Sequence, residues 1–183
     1  KAEAEAAGIV AKAQAQAEIE VKNLQIRAAK RFVAEESKKQ ANMEQIIGDA
    51  LPLLEDKSRP QEVEEDWLTN FFEKCRIVSD KDMQNLWSKL LASEANSPGG
   101  FSKRSVNLLA DLDKLDAQLF TTLCRFKWVV GTAISNCLPL VLDYRNKFYV
   151  ESGVNFSLLT HLDSLGLIRF DSSSSFVIKG QPR

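Results

Sequence analysis

The first fifty residues constrain the fold most, because they predict one long helix. Residues 1–50 are rich in Ala, Glu, Gln and Lys, which are strong helix formers, and they contain no proline. Apolar residues are sparse in the first half of this segment, so the helix can bury little of its own surface there. We expect a stalk that associates with other copies of the chain. Packing against its own domain and disorder in isolation are the alternatives.

A candidate assembly stripe lies on this predicted helix. Its members are the larger apolar side chains of the middle of the segment, whose spacing is too irregular to fix a number of strands. They are Ile19, Leu24, Ile26, Phe32 and Val33.

Charge is balanced overall but uneven along the chain. The formal net charge is -1, from 24 basic and 25 acidic residues, which argues against a non-specific polyanion binder. Residues 21–40 hold six basic and two acidic residues, a local +4, whereas residues 41–70 hold eight acidic and two basic, a local -6. This asymmetry could set an assembly register, although charged blocks usually only keep a helix face solvated.

The predicted fold class is mainly α, with a long N-terminal helix, a helical bundle body and a small C-terminal winged-helix-like element made of a helix and a β-hairpin. Proline and charge clusters divide the chain into four segments. These are a stalk at 1–52, a linker at 53–61, a helical body at 62–138 and the winged-helix-like part at 139–183.

The body is predicted around residues 79–120, where apolar residues recur at helical spacing. Ser79, Ser102 and Asp116 are the predicted helix starts, and Trp87 is a predicted core residue. Residues 126–138 are predicted to form a further buried helix.

The C-terminal part is predicted to contain two short strands, a helix and a hairpin. The strands are at 141–144 and 148–150, and Asn155 caps a helix at 156–165 that ends at Gly166. Segments 167–170 and 176–178 then flank a serine-rich wing at 171–175. This order resembles the end of a winged helix, but the helix lacks the basic and amide side chains that read DNA, so we favour a protein-contact or structural element.

The sequence predicts no enzyme, cofactor or metal site. The common phosphate-, dinucleotide-, hydrolase- and zinc-binding motifs are absent from it. His161 is the only histidine, and the three cysteines lack the spacing of a zinc site or disulfide framework. The acidic run at 62–66 fits a helix N-terminus better than a metal site.

The loop at 97–104 combines glycines, a helix start and two basic side chains, which are the ingredients of an anion site. The candidate phosphate contacts are Ser102, Lys103 and Arg104. The alternative is a connecting turn with a capping serine.

No run of about 18 apolar residues predicts a membrane span. Reduced cysteines fit the cytoplasm, where we place the protein. Because the sequence starts at Lys1, we expect a fragment whose missing front could carry an anchor.

Three sequence patterns resemble an uncharacterised bacterial domain-of-unknown-function family over about residues 40–170. They are DWxxxFF at 66–72, WxKLLAxE at 87–94 and PGxFS at 98–102. The resemblance implies no activity and no catalytic residue, and it suggests a bacterial setting such as phage defence or a mobile element.

The leading functional hypothesis is a non-enzymatic interaction and assembly module, a sensor or adaptor that forms homo-oligomers and recruits a partner protein. A nucleic-acid-binding regulator using residues 156–180 and 21–40 is one alternative. A membrane-active effector whose anchor lies outside this sequence is the other.

Overall fold

The computed structural model describes the backbone of residues 2–129 and 137–172 and the side chains of residues 8–128 and 139–172. These parts of the chain are predominantly helical, which confirms the predicted fold class at that level. The helices are α1 Ala2–Ala50, α2 Glu65–Cys75, α3 Lys81–Asn96, α4 Lys103–Ala110, α5 Lys114–Cys124, α6 Lys147–Glu151 and α7 Phe156–Ser164. The strands are β1 Lys127–Val129 and β2 Cys137–Pro139, and 3₁₀ turns lie at Leu51–Leu53 and Pro60–Glu62.

The chain divides into two compact units between Ala110 and Asp111. Unit 1 contains α1 to α4, and unit 2 contains the elements from α5 onward. The predicted helical body at 62–138 spans this division, which places α5, β1 and β2 in unit 2.

An aromatic cluster forms the core of unit 1. Trp67 stacks on Phe71 with ring centroids 5.2 Å apart, and Phe71 meets Trp87 edge to face, also at 5.2 Å. Such pairs stabilise a core beyond the apolar area that they bury. The prediction that Trp87 is a core residue is confirmed, since its side chain is 0% exposed. The fully buried cluster comprises Ile46, Trp67, Phe71, Cys75, Trp87 and Val106.

The end of α1 belongs to this core. Ile46 and Ala50 are buried, and the buried Asn42 donates from its side-chain amide to the carbonyl of Arg76 at 2.9 Å. Gln84 of α3 donates to the side-chain oxygen of Asn42 at 3.3 Å and to the carbonyl of Val78 at 2.9 Å. These buried hydrogen bonds fix the last turns of α1 against α2 and α3.

The segment assigned as a linker, 53–61, is held to the end of α3. Asn96 donates from its side chain to the carbonyl of Leu53 at 3.1 Å and accepts from the backbone N–H of Glu55 at 3.0 Å. The backbone N–H of Arg59 donates to the carbonyl of Ala95 at 2.8 Å. The segment is therefore part of unit 1.

Unit 2 has its own apolar core, made of Leu123, Tyr149, Val154, Leu158, Leu159 and Leu162. Strands β1 and β2 are antiparallel, with Lys127 opposite Pro139 and Val129 opposite Cys137. Both α6 and α7 end in a Schellman motif, with Gly153 at φ +85° and Gly166 at φ +72°. The predicted roles of Asn155 as a cap and of Gly166 as the terminating glycine are confirmed.

Three sequence-based assignments in unit 2 are wrong. Residues 141–144, predicted as a strand, are irregular backbone with a bend and a turn. Residues 127–129 and 137–139 are strands where a helix was predicted, because a short apolar run carries no period that separates a buried helix from a strand. Residues 148–150 lie in α6 and not in a strand, because the side chain of Asn146 accepts from the N–H of Phe148 and starts a helix there.

The predicted hairpin of the winged-helix-like end falls partly outside the described residues. Its first segment, 167–170, is described as irregular backbone, and the N–H of Phe170 donates to the carboxylate of Asp163 at 3.0 Å. The strand at 176–178 and residues 173–175 of the wing lie outside the described part of the chain, as does the middle of the segment predicted as a helix, residues 130–136.

Candidate assembly surface and polar sites

The exposed part of α1 is the most extensive candidate surface. Every side chain from Gly8 to Glu35 is exposed, and packing against unit 1 begins at Glu36 and Lys39. Large apolar side chains lie on this exposed part, and isolated exposed apolar residues are common, but a long series of them marks an interaction surface. They are Ile9, Val10, Ile19, Val21, Leu24, Ile26, Phe32 and Val33.

All five residues of the candidate assembly stripe are exposed on α1, but they lie on two faces of it. Ile19, Ile26 and Val33 are seven residues apart and share one face. Leu24 and Phe32 lie on another face, since five residues after Ile19 correspond to a rotation of about 140°. The structure thus places the predicted stripe at the surface as two apolar faces, and its role in assembly stays a prediction.

The loop between α3 and α4 contains the candidate anion contacts. Ser102 caps α4, with its hydroxyl oxygen 3.3 Å from the backbone N–H of Ser105. Lys103 reaches the carboxylates of Asp66 at 3.2 Å and Glu64 at 3.5 Å, and the hydrogen bond that Lys103 donates to Asp66 is the main cause that raises the pKa of Lys103. Arg104 is exposed on the same helix. Lys103 therefore already forms ion pairs with two carboxylates.

The backbone amides of this loop are bound by a buried carboxylate. Glu94 is only 2% exposed, and it accepts from the N–H of Gly99 at 2.6 Å and from the N–H of Phe101 at 2.8 Å. Gly99 has φ +83°, and a Cβ at Gly100 would lie 3.0 Å from the carbonyl oxygen of Ser97. A phosphate at this loop would have to compete with Glu94 for these amides, so the anion contact stays a prediction that rests on side chains alone.

Glu94 also explains two of the patterns that carry the family resemblance. It is the last residue of WxKLLAxE, and its carboxylate organises the turn of PGxFS. Sequence analysis did not identify this residue as buried. The available signal was its position seven residues after Trp87, which places it on the same helix face as a core residue.

An imidazole–carboxylate pair joins two helices of unit 2. Nε2 of His161 in α7 lies 2.6 Å from Oδ1 of Asp116 in α5, and Asp116 also accepts from the N–H of Asp113 at 3.2 Å. The hydrogen bond with His161 is the main cause that lowers the pKa of Asp116, and the hydrogen bond with Asp113 lowers it further. Burial acts in the opposite direction. Asp113 is the N-cap of α5, and Asp116 occupies the N3 position of its capping box. The predicted helix start at Asp116 therefore lies three residues late.

The described cysteines have raised pKa values. Burial raises the pKa of the Cys75 thiol to about 12, and burial is also the main cause that raises the pKa of Cys124. A thiol with a raised pKa is a poor nucleophile at neutral pH. Within residues 8–128 and 139–172, no group of three or more histidine, cysteine or carboxylate side chains is placed to hold a metal ion.

None of the helices in the described part of the chain combines the length and apolar character that crossing a membrane requires. The fold and its sites define a predominantly helical protein with one long exposed helix.

Residues 26–182 match the family described as Protein of unknown function (DUF2806), and the chain belongs to this family. The match begins within α1 and extends through both units, and it confirms that the chain belongs to an uncharacterised domain family. Comparisons with curated proteins and with solved structures gave no match.

Proposed function

We propose that this protein is a non-enzymatic assembly and interaction module, in which the exposed part of α1 associates with helices of other copies. The observation that carries this proposal is the exposure of every side chain from Gly8 to Glu35. A single helix in water is marginally stable, and it is stabilised when its apolar residues are buried against a partner.

The way α1 enters unit 1 supports the same role. Its last turns are fixed in the core through Ile46 and Asn42, so the exposed part projects from a folded base. At about 1.5 Å per residue, the 28 residues from 8 to 35 extend about 42 Å. A projecting helix of this length suits assembly better than it suits an active site.

Unit 2 is the proposed surface for a partner protein, in a sensor or adaptor role. Aromatic side chains are enriched in the centres of protein interfaces, and three of them are exposed among the described residues of unit 2. These are Trp128, Phe148 and Phe156. A winged-helix-like arrangement of α6, α7 and the following segment, in the bacterial defence setting that the family resemblance suggests, is part of this proposal.

The nucleic-acid-binding alternative ranks lower because three of the polar side chains of α7 are already engaged within unit 2. His161 binds Asp116, and the hydroxyls of Thr160 and Ser164 donate to the carbonyls of Phe156 and His161. Base-reading helices present free donors and acceptors to the groove.

Deletion of residues 1–35 tests the assembly role. This cut removes the exposed part of α1 and keeps Glu36, Asn42 and Ile46, which pack on unit 1. We expect the full chain to have a multiple of the monomer mass by light scattering and the shortened chain to be monomeric with an unchanged near-ultraviolet circular dichroism signal. A full chain that is folded and monomeric at about 100 μM, where micromolar complexes are saturated, would refute the assembly role.

A further inference from the structure

One face of the exposed part of α1 carries a short series of residues at heptad spacing, which we call the seam. Along it, residues alternate at intervals of four and three, which is the spacing of the a and d positions of a heptad repeat. The side chains in this series are small or apolar except for one glutamine. They are Val10, Gln14, Ala17, Val21, Leu24 and Ala28. Val21 and Leu24, at its centre, are 54% and 59% exposed.

Two opposite charges flank this seam on the same side. Glu20 precedes Val21 and Arg27 precedes Ala28, so both occupy g positions of successive heptads. Both side chains are exposed. Because they are one heptad apart, the side chains that they meet on a partner helix depend on the orientation of that helix.

In a parallel pair, each g residue faces the e residue of the next heptad of the other helix. Glu20 would then face Gln25, and Arg27 would face Phe32, so neither charge would meet its opposite. When one helix is reversed, the two g flanks come together. Glu20 of each copy then lies beside Arg27 of the other copy, which forms two equivalent ion pairs.

We propose that this seam binds the same segment of a second copy in antiparallel orientation, with Glu20 and Arg27 pairing between copies. This inference rests on the assembly role proposed above and adds the partner and its orientation. The reversed alignment places Val21 against Leu24 and Ala17 against Ala28, so the largest side chains fill the centre and small ones allow close approach on both sides.

The charge of the longer segment favours the same orientation. Residues 21–40 carry a net +4, whereas residues 1–20 carry four acidic and two basic residues, a net -2. In the antiparallel pair these oppositely charged segments lie side by side. The folded base of each copy, formed by the last turns of α1 with α2, α3 and α4, then lies at one end of the paired segment. The two bases are separated by about 40 Å along its axis.

The test uses charge reversal in the full chain, with dissociation constants measured by sedimentation at low salt, where exposed ion pairs are screened least. Glu20→Lys and Arg27→Glu each place like charges together twice in the antiparallel pair. Each single variant removes two attractive ion pairs and adds two repulsive ones, and each of these four surface contributions is small. We therefore expect the dissociation constant of each single variant to rise about tenfold, and that of the double variant to return to within about twofold of wild type. Lys30→Glu is the control, since Lys30 is equally exposed but lies on the opposite side of α1, beside the face of Ile19, Ile26 and Val33. Association that is weakened by Lys30→Glu and not by the seam reversals would place the interface on that face and refute the pairing.

The outcomes separate this inference from the assembly role. A wild-type chain that remains monomeric refutes both. If the single reversals leave the dissociation constant unchanged, the antiparallel pairing through Glu20 and Arg27 is refuted. The same holds if the double reversal fails to restore association. In both cases the assembly role is retained.

Discussion

His161 and Asp116 form a 2.6 Å contact between Nε2 and Oδ1 that connects α7 to the first turn of α5. Asp116 is also a member of the capping box of α5, so one carboxylate holds both a helix start and a helix pair. This double role makes unit 2 sensitive to the protonation of a single side chain.

The first prediction concerns acid sensitivity. The pKa of Asp116 is lower in the folded chain than in the unfolded chain, so its contribution to stability is fully present above the ordinary aspartate pKa of about 3.9. That contribution is lost as the pH falls below this value towards the folded pKa. We expect Asp116→Asn to destabilise unit 2 at pH 6 and to remove part of the loss that wild type shows as the pH falls below about 4.

Thermal unfolding followed at several pH values measures this difference. Asp111→Asn, at an exposed aspartate near the start of the same unit, is the matched control and should follow the wild-type curve. Parallel pH profiles for wild type and Asp116→Asn would contradict the prediction.

The second prediction concerns the core of unit 1. Trp87→Ala removes a fully buried ring that packs edge to face on Phe71, and truncation of such a residue costs about 3–5 kcal/mol. Trp128→Ala is the control, because Trp128 is 50% exposed and its loss should cost much less. Denaturant unfolding curves for both variants would show the difference, and equal midpoints would rule out the assigned core role.

The third prediction concerns the buried carboxylate of Glu94. Glu94→Gln replaces one of two accepting oxygens by an NH₂ group, which then faces the N–H of Gly99 or Phe101. We expect a loss of about 1–3 kcal/mol, because one buried donor is left without an acceptor. Amide hydrogen exchange should become faster at one of these two positions in particular.

Glu44→Gln is the control for this substitution, since Glu44 is exposed on α1. The Glu94 prediction fails if both glutamine variants unfold at the wild-type denaturant concentration.

The fourth prediction concerns DNA. Residues 156–178 contain one basic residue, Arg169, against Asp163 and Asp171, so this segment has a formal charge of -1 and offers no phosphate clamp. We expect a fragment of residues 111–183 to bind short duplex DNA no more tightly than about 10⁻⁴ M at physiological salt. Fluorescence anisotropy at two salt concentrations measures this, and sub-micromolar affinity with a sequence preference would put the regulator hypothesis first.

Local signals in the sequence predicted much of the fold. Ser102 and Asn155 lie where the caps were expected, because a capping side chain bonds to the backbone within three residues of itself. At α3, Asp80 and not Ser79 is the cap, which shows that two adjacent candidates cannot be separated by pattern alone. The periodic apolar residues around Trp87 predicted its burial correctly.

The features that the sequence did not predict depend on distant contacts. The strands at 127–129 and 137–139 exist through pairing with each other, and no apolar period distinguishes them from a helix. The contact of His161 with Asp116 joins residues 45 positions apart, and the amides bound by Glu94 belong to a different segment from its own helix. The exposure of α1 was expected, but the division of its apolar residues between two faces was missed, although the rotation of about 140° between Ile19 and Leu24 follows from helix geometry alone.

The unbroken passage of α1 from solvent into the core makes it a lever. No hinge separates its exposed part from Ile46, which lies in the aromatic cluster with Trp87. A tilt of about 5° at Asn42 displaces the helix near Gly8 by about 4 Å, given the rise of about 1.5 Å per residue over this distance. A force on the helix near Gly8 therefore acts as a torque on the packing of Ile46. A repacking of the cluster around Ile46 displaces the helix near Gly8 by several ångströms.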